Sequence, residues 1–370
     1  MKFQVSTTPL NDGLALGVVN ANVSNFFKRS NIAQITATKN ELRINLEADR
    51  ILSEIRLKGL GDSDTDVTTF VSCLLLKQLV STFAAPVTTL EFVDGGLIIH
   101  SGKSKFTLPK LDIDASSTSL NCPELPDYNS ATYDIDKADW KFIKNNQMYA
   151  IAMSFSQHPV YTRVWVGDHG DVLVGDFDNG LFTHSEKSKL GTTCLLKDSV
   201  VNLFNSLPEG SKISKVDDKY IVKVTTDGFE FISEFSPEYE SDENVGSYSS
   251  DIIIDMMSHT DENSVVVPTA AINKFLSQAD LLSSGSASTI KLHVDNNELT
   301  LKDENVDCKV DLDTLYPDSY EVEFNTSLLK SVLSNYTDET VRISPMIQGE
   351  EVSGIKIWSK ELTTVLAGVD

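Results

Sequence analysis

The chain has 370 residues, 54 of them acidic and 31 basic, for a formal net charge of −23. A hydrophobic share of 41% and a charged share of 23% are those of a globular chain with room for two or three cores. The acidity argues against a surface that coats nucleic acid as a whole but leaves room for a local basic patch. No apolar run reaches the length of a membrane span or a signal-peptide core. Four scattered cysteines fit neither a zinc site nor a disulfide framework, which points to a reducing interior.

In chain order, "MKFQV" opens with the alternation of a strand, and a helix is expected over 8–21. "KNELRINLEAD" reads as a turn followed by a strand, and "CLLLKQLV" from Cys73 as a short amphipathic helix. "SGKSKFTLPKLD", residues 101–112, alternates Lys103, Lys105 and Thr107 against Ser104, Phe106 and Leu108. It ends on Pro109, which cannot donate to a ladder, so it reads as an edge strand. Its lysines either keep unwanted strands away or mark an edge built for one partner.

A boundary is expected near 124–127, and a helix over 136–152. Lys137, Lys141 and Lys144 share one stripe of that helix, opposite Phe142, Ile143, Tyr149 and Ala150. Such a stripe fits a solvated face or a surface turned to phosphates. "GDFDNGLFTHS" is the most enzyme-like stretch, because Asp176, Asp178 and His184 suggest an acid–base pair or a metal. Asp178-Asn179-Gly180 is equally a hairpin turn, and the turn is the reading adopted. No nucleophile elbow, phosphate loop or dinucleotide fingerprint is present. A helix is expected from Cys194, and the acidic stretch 236–263 reads as a linker or exposed loop. Pro268 suits the first turn of a helix over 268–282, with Lys274 opposite Ile272, Phe275 and Leu276. "SSGSAS" at 283–288 is a flexible loop, and a last helix begins near Asn325.

A pattern of helix, strands, helix, strands is thus written three times. In its second helix, Leu75, Leu196 and Leu329 are aligned, followed one turn later by Leu79, Val200 and Leu333. The outer faces carry Lys77, Lys330 and, nearer the apolar edge, Lys197.

With its repeat, "MKFQV", "SGKSKFTLPKLD", "VYTRVWVGDHGDVLVGDFDNGLFTHSE", "SPEYE" and "LYPDSYEVEFNTSLLKSVLSNY", the chain resembles the bacterial-type β sliding clamps, the processivity factors of DNA polymerase III. The likeness covers nearly the whole length. It implies an α+β fold of three similar clamp domains, 1–125, 126–250 and 251–370, each with two helices packed on antiparallel sheets. Two chains would close head to tail into a homodimeric ring around duplex DNA. The ring would hold DNA topologically and without sequence specificity, and would tether a DNA polymerase. The resemblance implies no catalysis, no cofactor and no membrane, and a cytoplasmic location.

It also implies roles for individual residues. Lys28, Arg29, Lys77, Lys137, Lys141, Lys144, Gln157, His158, Tyr161, Lys197, Lys274 and Lys330 would touch DNA. Lys103, Lys105, Phe106 and Leu108 would meet Leu281, Leu282, Glu298, Asp303 and Glu304 of the other subunit. A pocket for polymerase and clamp-loader peptides would use Phe177, Asp178, Asn179, Leu181, Pro237, Tyr239, Leu366 and Val369. The turn at 177–181 and the tail at 366–370 depart from the family pattern, which suggests a divergent, phage-encoded member serving its own polymerase. The competing readings are a self-assembling β-rich virion protein and an enzyme centred on Asp176, Asp178 and His184.

Overall fold

The computed structural model describes residues 1–19, 21, 31–48, 51–61, 66–111, 133–136, 164–166, 171–176, 181–186, 194–208, 211–216, 218–237, 257, 264–282, 289–303, 306–348, 351–360 and 362–369. The first copy of the repeat runs β1 (Lys2–Ser6), α1 (Thr7–Gly17), β2 (Ile32–Ala37), β3 (Glu41–Ala48), β4 (Ile51–Lys58), β5 (Val67–Ser72), α2 (Cys73–Val80), β6 (Val87–Val93), β7 (Gly96–Ser101) and β8 (Ser104–Pro109). The second runs β9 (Tyr133–Asp136), β10 (Val164–Val166), β11 (Asp171–Asp176), β12 (Leu181–Glu186), β13 (Cys194–Leu196), α3 (Asp198–Ser206), β14 (Lys212–Val216), β15 (Lys219–Thr225) and β16 (Phe229–Phe235). The expected helix over 136–152 lies, beyond Asp136, outside the described residues. The third copy runs β17 (Val265–Pro268), α4 (Thr269–Leu282), β18 (Thr289–Lys302), β19 (Asp307–Asn325), α5 (Thr326–Leu333), β20 (Thr340–Gln348), β21 (Glu351–Trp358) and β22 (Leu362–Ala367).

Each copy begins with one strand, then a helix in the first and third, and closes with a second helix and three strands. In the first two copies four strands lie between. In the third, β18 and β19 take their place, and β18 breaks register at Asn296, whose φ of 52° is left-handed.

The chain forms two compact units, Met1–Lys144 with Ser199–Pro237, and Asn145–Asp198 with Glu238–Asp370. The sheets explain why the second copy is shared between them. In the first unit the order is β5-β2-β3-β4-β16-β15-β14-β9, so the first copy's middle strands continue into the second copy's closing strands. In the second unit the order is β13-β10-β11-β12-β22-β21-β20-β17, which joins the second copy to the third in the same way. Two smaller sheets remain, β1-β6-β7-β8 in the first unit and β18-β19 in the second.

Helices cover these sheets with apolar faces. In α1, Leu10 and Leu14 are fully buried, and glycines let the helix lie close to the sheet. A Cβ at Gly13 would stand 2.6 Å from Ile55 Cγ2, and one at Gly17 would strike Leu46. The helix stops at Gly17, short of the expected 21, before the β-branched pair Val18-Val19. In the second unit Ile272, Phe275 and Leu276 of α4 pack with Leu329, Val332 and Leu333 of α5 in one core.

The structure corrects the expected alignment of the second helices. The helix expected from Cys194 begins at Asp198, and Cys194–Leu196 is strand. Leu196 therefore has no helical counterpart. The residues at the fourth helical position are Leu76, Val201 and Leu329, all buried. Leu75 and Leu79 are only half-buried, so the core stripe of α2 is Cys73, Leu76 and Val80. A short apolar run suits strand and helix alike, and only ladder pairing decides where one gives way to the other. Among the described residues no helix is long and apolar enough to cross a membrane.

Candidate nucleic-acid interface and open sheet edges

The second helices are set by their caps. Asn325 Oδ1 accepts from the Leu328 amide at 3.1 Å, and Ser72 Oγ from the Leu75 amide at 3.4 Å. Lys197 holds the corresponding place before α3, off the helix rather than on its face. Lys77 and Lys330 share the fifth helical position, where α3 has the exposed Asn202.

The lysines differ in what holds them. Lys77 ties α2 to α1, donating to the Asn11 Oδ1 at 2.8 Å and the Asn11 carbonyl oxygen at 3.2 Å. Partial burial lowers its pKa, and Asp12 nearby opposes that shift. Lys330 is half-buried, whereas Lys274 is exposed opposite its helix's buried stripe, as expected. Lys28, Arg29, Lys137, Lys141, Lys144, Gln157, His158 and Tyr161 lie outside the described residues.

The strand expected at 101–112 is present as β8, and among the described residues it pairs with β7 alone. Gly102, with φ 59°, takes the first central position of a two-residue turn, and Lys103 sits in that turn. Lys105 and Thr107 are exposed, Phe106 is half-buried and Leu108 is buried. Phe106 stacks on Phe83 with ring centroids 5.4 Å apart. Leu108, with 4% of its surface exposed, is already committed to its own sheet, so Phe106 is the apolar side chain left open at this edge.

In the second unit, Asp307–Asp311 pairs on one side with Glu298–Lys302. Asp307, Lys309 and Asp311 are exposed, while Val306 and Cys308 are half-buried and Val310 is buried. Lys309 Nζ donates to Glu298 Oε1 at 2.6 Å and holds that carboxyl below its usual range. Asp303 closes the preceding turn, accepting from the Val306 amide at 2.6 Å. Sequence reading passed over Asp307, Cys308 and Asp311, although "DCKVDL" has the same alternation that marked β8. The side chains of Leu281 and Leu282, and Glu304 altogether, lie outside the described residues.

Of the expected pocket residues, the β12–β22 ladder sets Leu181 opposite Leu366. Leu366 is fully buried and Val369 half exposed. Pro237 is buried in the other unit. Phe177, Asp178, Asn179 and Tyr239 lie outside the described residues, as does the turn expected at 178–180, while Asp176 pairs with Leu181. That register sets His184 opposite Leu173, three rungs from Asp176. Among the described residues no cluster of histidine, cysteine and acid could hold a metal.

No family model matches the sequence, and no curated protein matches it. Solved structures do. The Helicobacter pylori β clamp bound to a DNA ligase peptide superimposes with TM-score 0.74 at 15% identity, covering all of both chains. The DNA polymerase sliding clamp of Caulobacter crescentus gives 0.75 at 15%, and the DNA polymerase III subunit β of Pseudomonas aeruginosa 0.75 at 16%, again over all of both chains.

The fold is that of the bacterial β sliding clamps. The superposition covers the whole of this chain and of each of these three structures.

Proposed function

We propose that this chain is a DNA sliding clamp, a non-enzymatic processivity factor. Two copies close head to tail around duplex DNA and tether a replicative polymerase and a clamp loader, in the cytoplasm. The reading divides the chain into three clamp domains, 1–125, 126–250 and 251–370. The observation that carries it is the full-length clamp fold.

A ring holds DNA by topology, so its contacts need little affinity. Lys274 and Lys330, with the lysines of 137–144, would meet phosphates weakly enough to let the duplex slide. A net charge of −23 would keep DNA from the rest of the surface. Leu181 and Val369, with Phe177, Asp178, Asn179 and Tyr239, would form the partner-peptide pocket. The departure of the 177–181 turn and the 366–370 tail from the family pattern supports a divergent clamp with its own polymerase.

Negative-stain electron microscopy together with sedimentation tests this. Closed particles with a central hole, at twice the 40.7 kDa chain mass, are expected. The two small sheets with different open edges also support a second reading, head-to-tail filaments of a structural protein. Filaments in the same images would favour it.

A further inference from the structure

One row of side chains across the first unit's large sheet is more polar than its position requires. Helix α1 packs on one face of that sheet, against Leu46 and Ile55, so Asn45 of β3 and Glu54 of β4 point to the other face. Register sets Gln34 of β2 opposite Asn45, and Asn45 opposite Glu54. Asn45 is only 3% exposed and Glu54 1%. Half-buried Phe70 flanks Gln34 and fully buried Ile232 flanks Glu54, so apolar side chains bound the row at both ends. We propose that Gln34, Asn45 and Glu54 form a buried site for one hard, oxygen-seeking cation.

The oxygens carry the argument. Glu54 Oε1 accepts from Arg56 Nε, while Glu54 Oε2 is buried and meets no donor. Gln34 Oε1 is buried without a donor as well. A buried carboxylate oxygen left unmet is costly. Side chains directly opposite on neighbouring strands have Cβ atoms about 5 Å apart, so the long Gln34 and Glu54 can converge over the shorter Asn45 between them. Carboxylate and carboxamide oxygens are the ligands that calcium and other hard cations take, with water completing the shell. The row has one acid and two amides, so it differs in kind from a cluster of acids and histidines. Arg56 also reaches Glu230 at 3.4 Å, and Lys223 pairs with Glu230 in turn. These two bases balance Glu54 and Glu230, so an entering ion gains from the oxygens and not from surplus negative charge. Affinity at the weak end for such sites follows, a Kd of roughly 10⁻⁴–10⁻³ M.

The second copy shows that the fold does not need polar groups here. Val71 and Leu196 stand equally far before α2 and α3, and they pair with Ala33 and Val164. One residue further, the first copy pairs Gln34 with Asn45 and the second pairs Trp165 with Leu173. Across the next ladder stand Glu54 in the first copy and His184 in the second. Trp165 and Leu173 are both buried. The polar row is thus a property of the first copy and not of the repeated architecture, and the inference does not depend on the clamp reading.

Calorimetric titration of the full-length protein with calcium, magnesium and potassium chloride, each at fixed ionic strength, tests the site. Saturable binding of one of these ions, a single ion per chain, is expected, with a thermal midpoint that rises as the ion is added. Asn45→Leu and Gln34→Leu give the row the apolar character of the second copy, and each is expected to keep the circular dichroism of the parent and lose the saturable binding. Glu54 is left in place, because removing it would strip Arg56 of a carboxylate. Glu298→Gln, in the exposed pair with Lys309 of the other unit, should bind as the parent does. Saturable binding that survives both N45L and Q34L, or that E298Q also loses, would assign the ion to the acidic surface and overturn the site. No saturable binding of any of the three ions by the parent protein would overturn it as well, and would leave a buried water to meet Glu54.

Discussion

Tyr336 shows how much one hydroxyl can hold. It is buried, and its oxygen lies 2.8 Å from both the Ile357 carbonyl oxygen and the Thr364 hydroxyl, which joins α5 to the closing strands β21 and β22. Tyr336→Phe leaves those partners buried and short of a bond, and is expected to cost about 1–3 kcal/mol in urea unfolding. Burial also raises the pKa of this phenol from its ordinary 10.0. The folded chain therefore keeps a proton that the unfolded chain releases. The stability it contributes is whole below pH 10 and falls above it, by about 1.4 kcal/mol per pH unit. The gap between Y336F and the parent protein should narrow by about 1 kcal/mol between pH 10 and 11, and by about 1.4 kcal/mol for each further pH unit until the buried phenol itself titrates. Nothing in the sequence around Tyr336 signals this role, because its partners come from strands reached only after the chain turns back twice.

The repeated helix–strand units belong to the scale of elements. Their alternation was legible, and the strands at 2–6, 41–48, 104–109 and 171–176 lie where period-two patterning puts them. The start of α3 was not, since Cys194–Leu196 is apolar enough for either state and its pairing with Val164–Val166 makes it strand. The caps make a quantitative test. Asn325→Ala is expected to cost about 1 kcal/mol, measured by thermal unfolding, and Asn325→Ser to recover most of it. The open edges make another. Lys105 is exposed on β8, so if that edge meets a second chain, Lys105→Glu should weaken self-association by roughly a few-fold in sedimentation equilibrium. An unchanged association would remove this face of β8 from the interface.

At the scale of the whole molecule, charge is divided between an acidic bulk and lysines on helix faces. Lys274 is exposed on α4, so Lys274→Ala should leave stability unchanged within about 0.5 kcal/mol. If the residue touches a phosphate, the dependence of log affinity on log salt for short duplex DNA should flatten by about 0.9. An unchanged slope would remove Lys274 from the interface. Lys77→Ala is different, because it also breaks the tie to Asn11, and should lower both stability and affinity. The site was legible in part. The type of residue and the helical spacing could be read, but not that one lysine is bound to a neighbouring helix while another is open to solvent.

The sequence by itself determined the repeat, the alternation of its strands, the edge character of 101–112 and the resemblance to clamps, because these depend on local periodicity and on turn residues. The tertiary structure decided which strands meet. Strand pairing joins residues as distant as Leu57 and Phe229 or Thr183 and Thr364, and no local pattern carries that information. It divided the second copy between two units, moved the start of α3, committed Leu108 to its own core, and left two edges open among the described residues. The physical reason is that a strand's side chains fix its faces, but its neighbours are fixed by backbone hydrogen bonds that only the assembled sheet can satisfy.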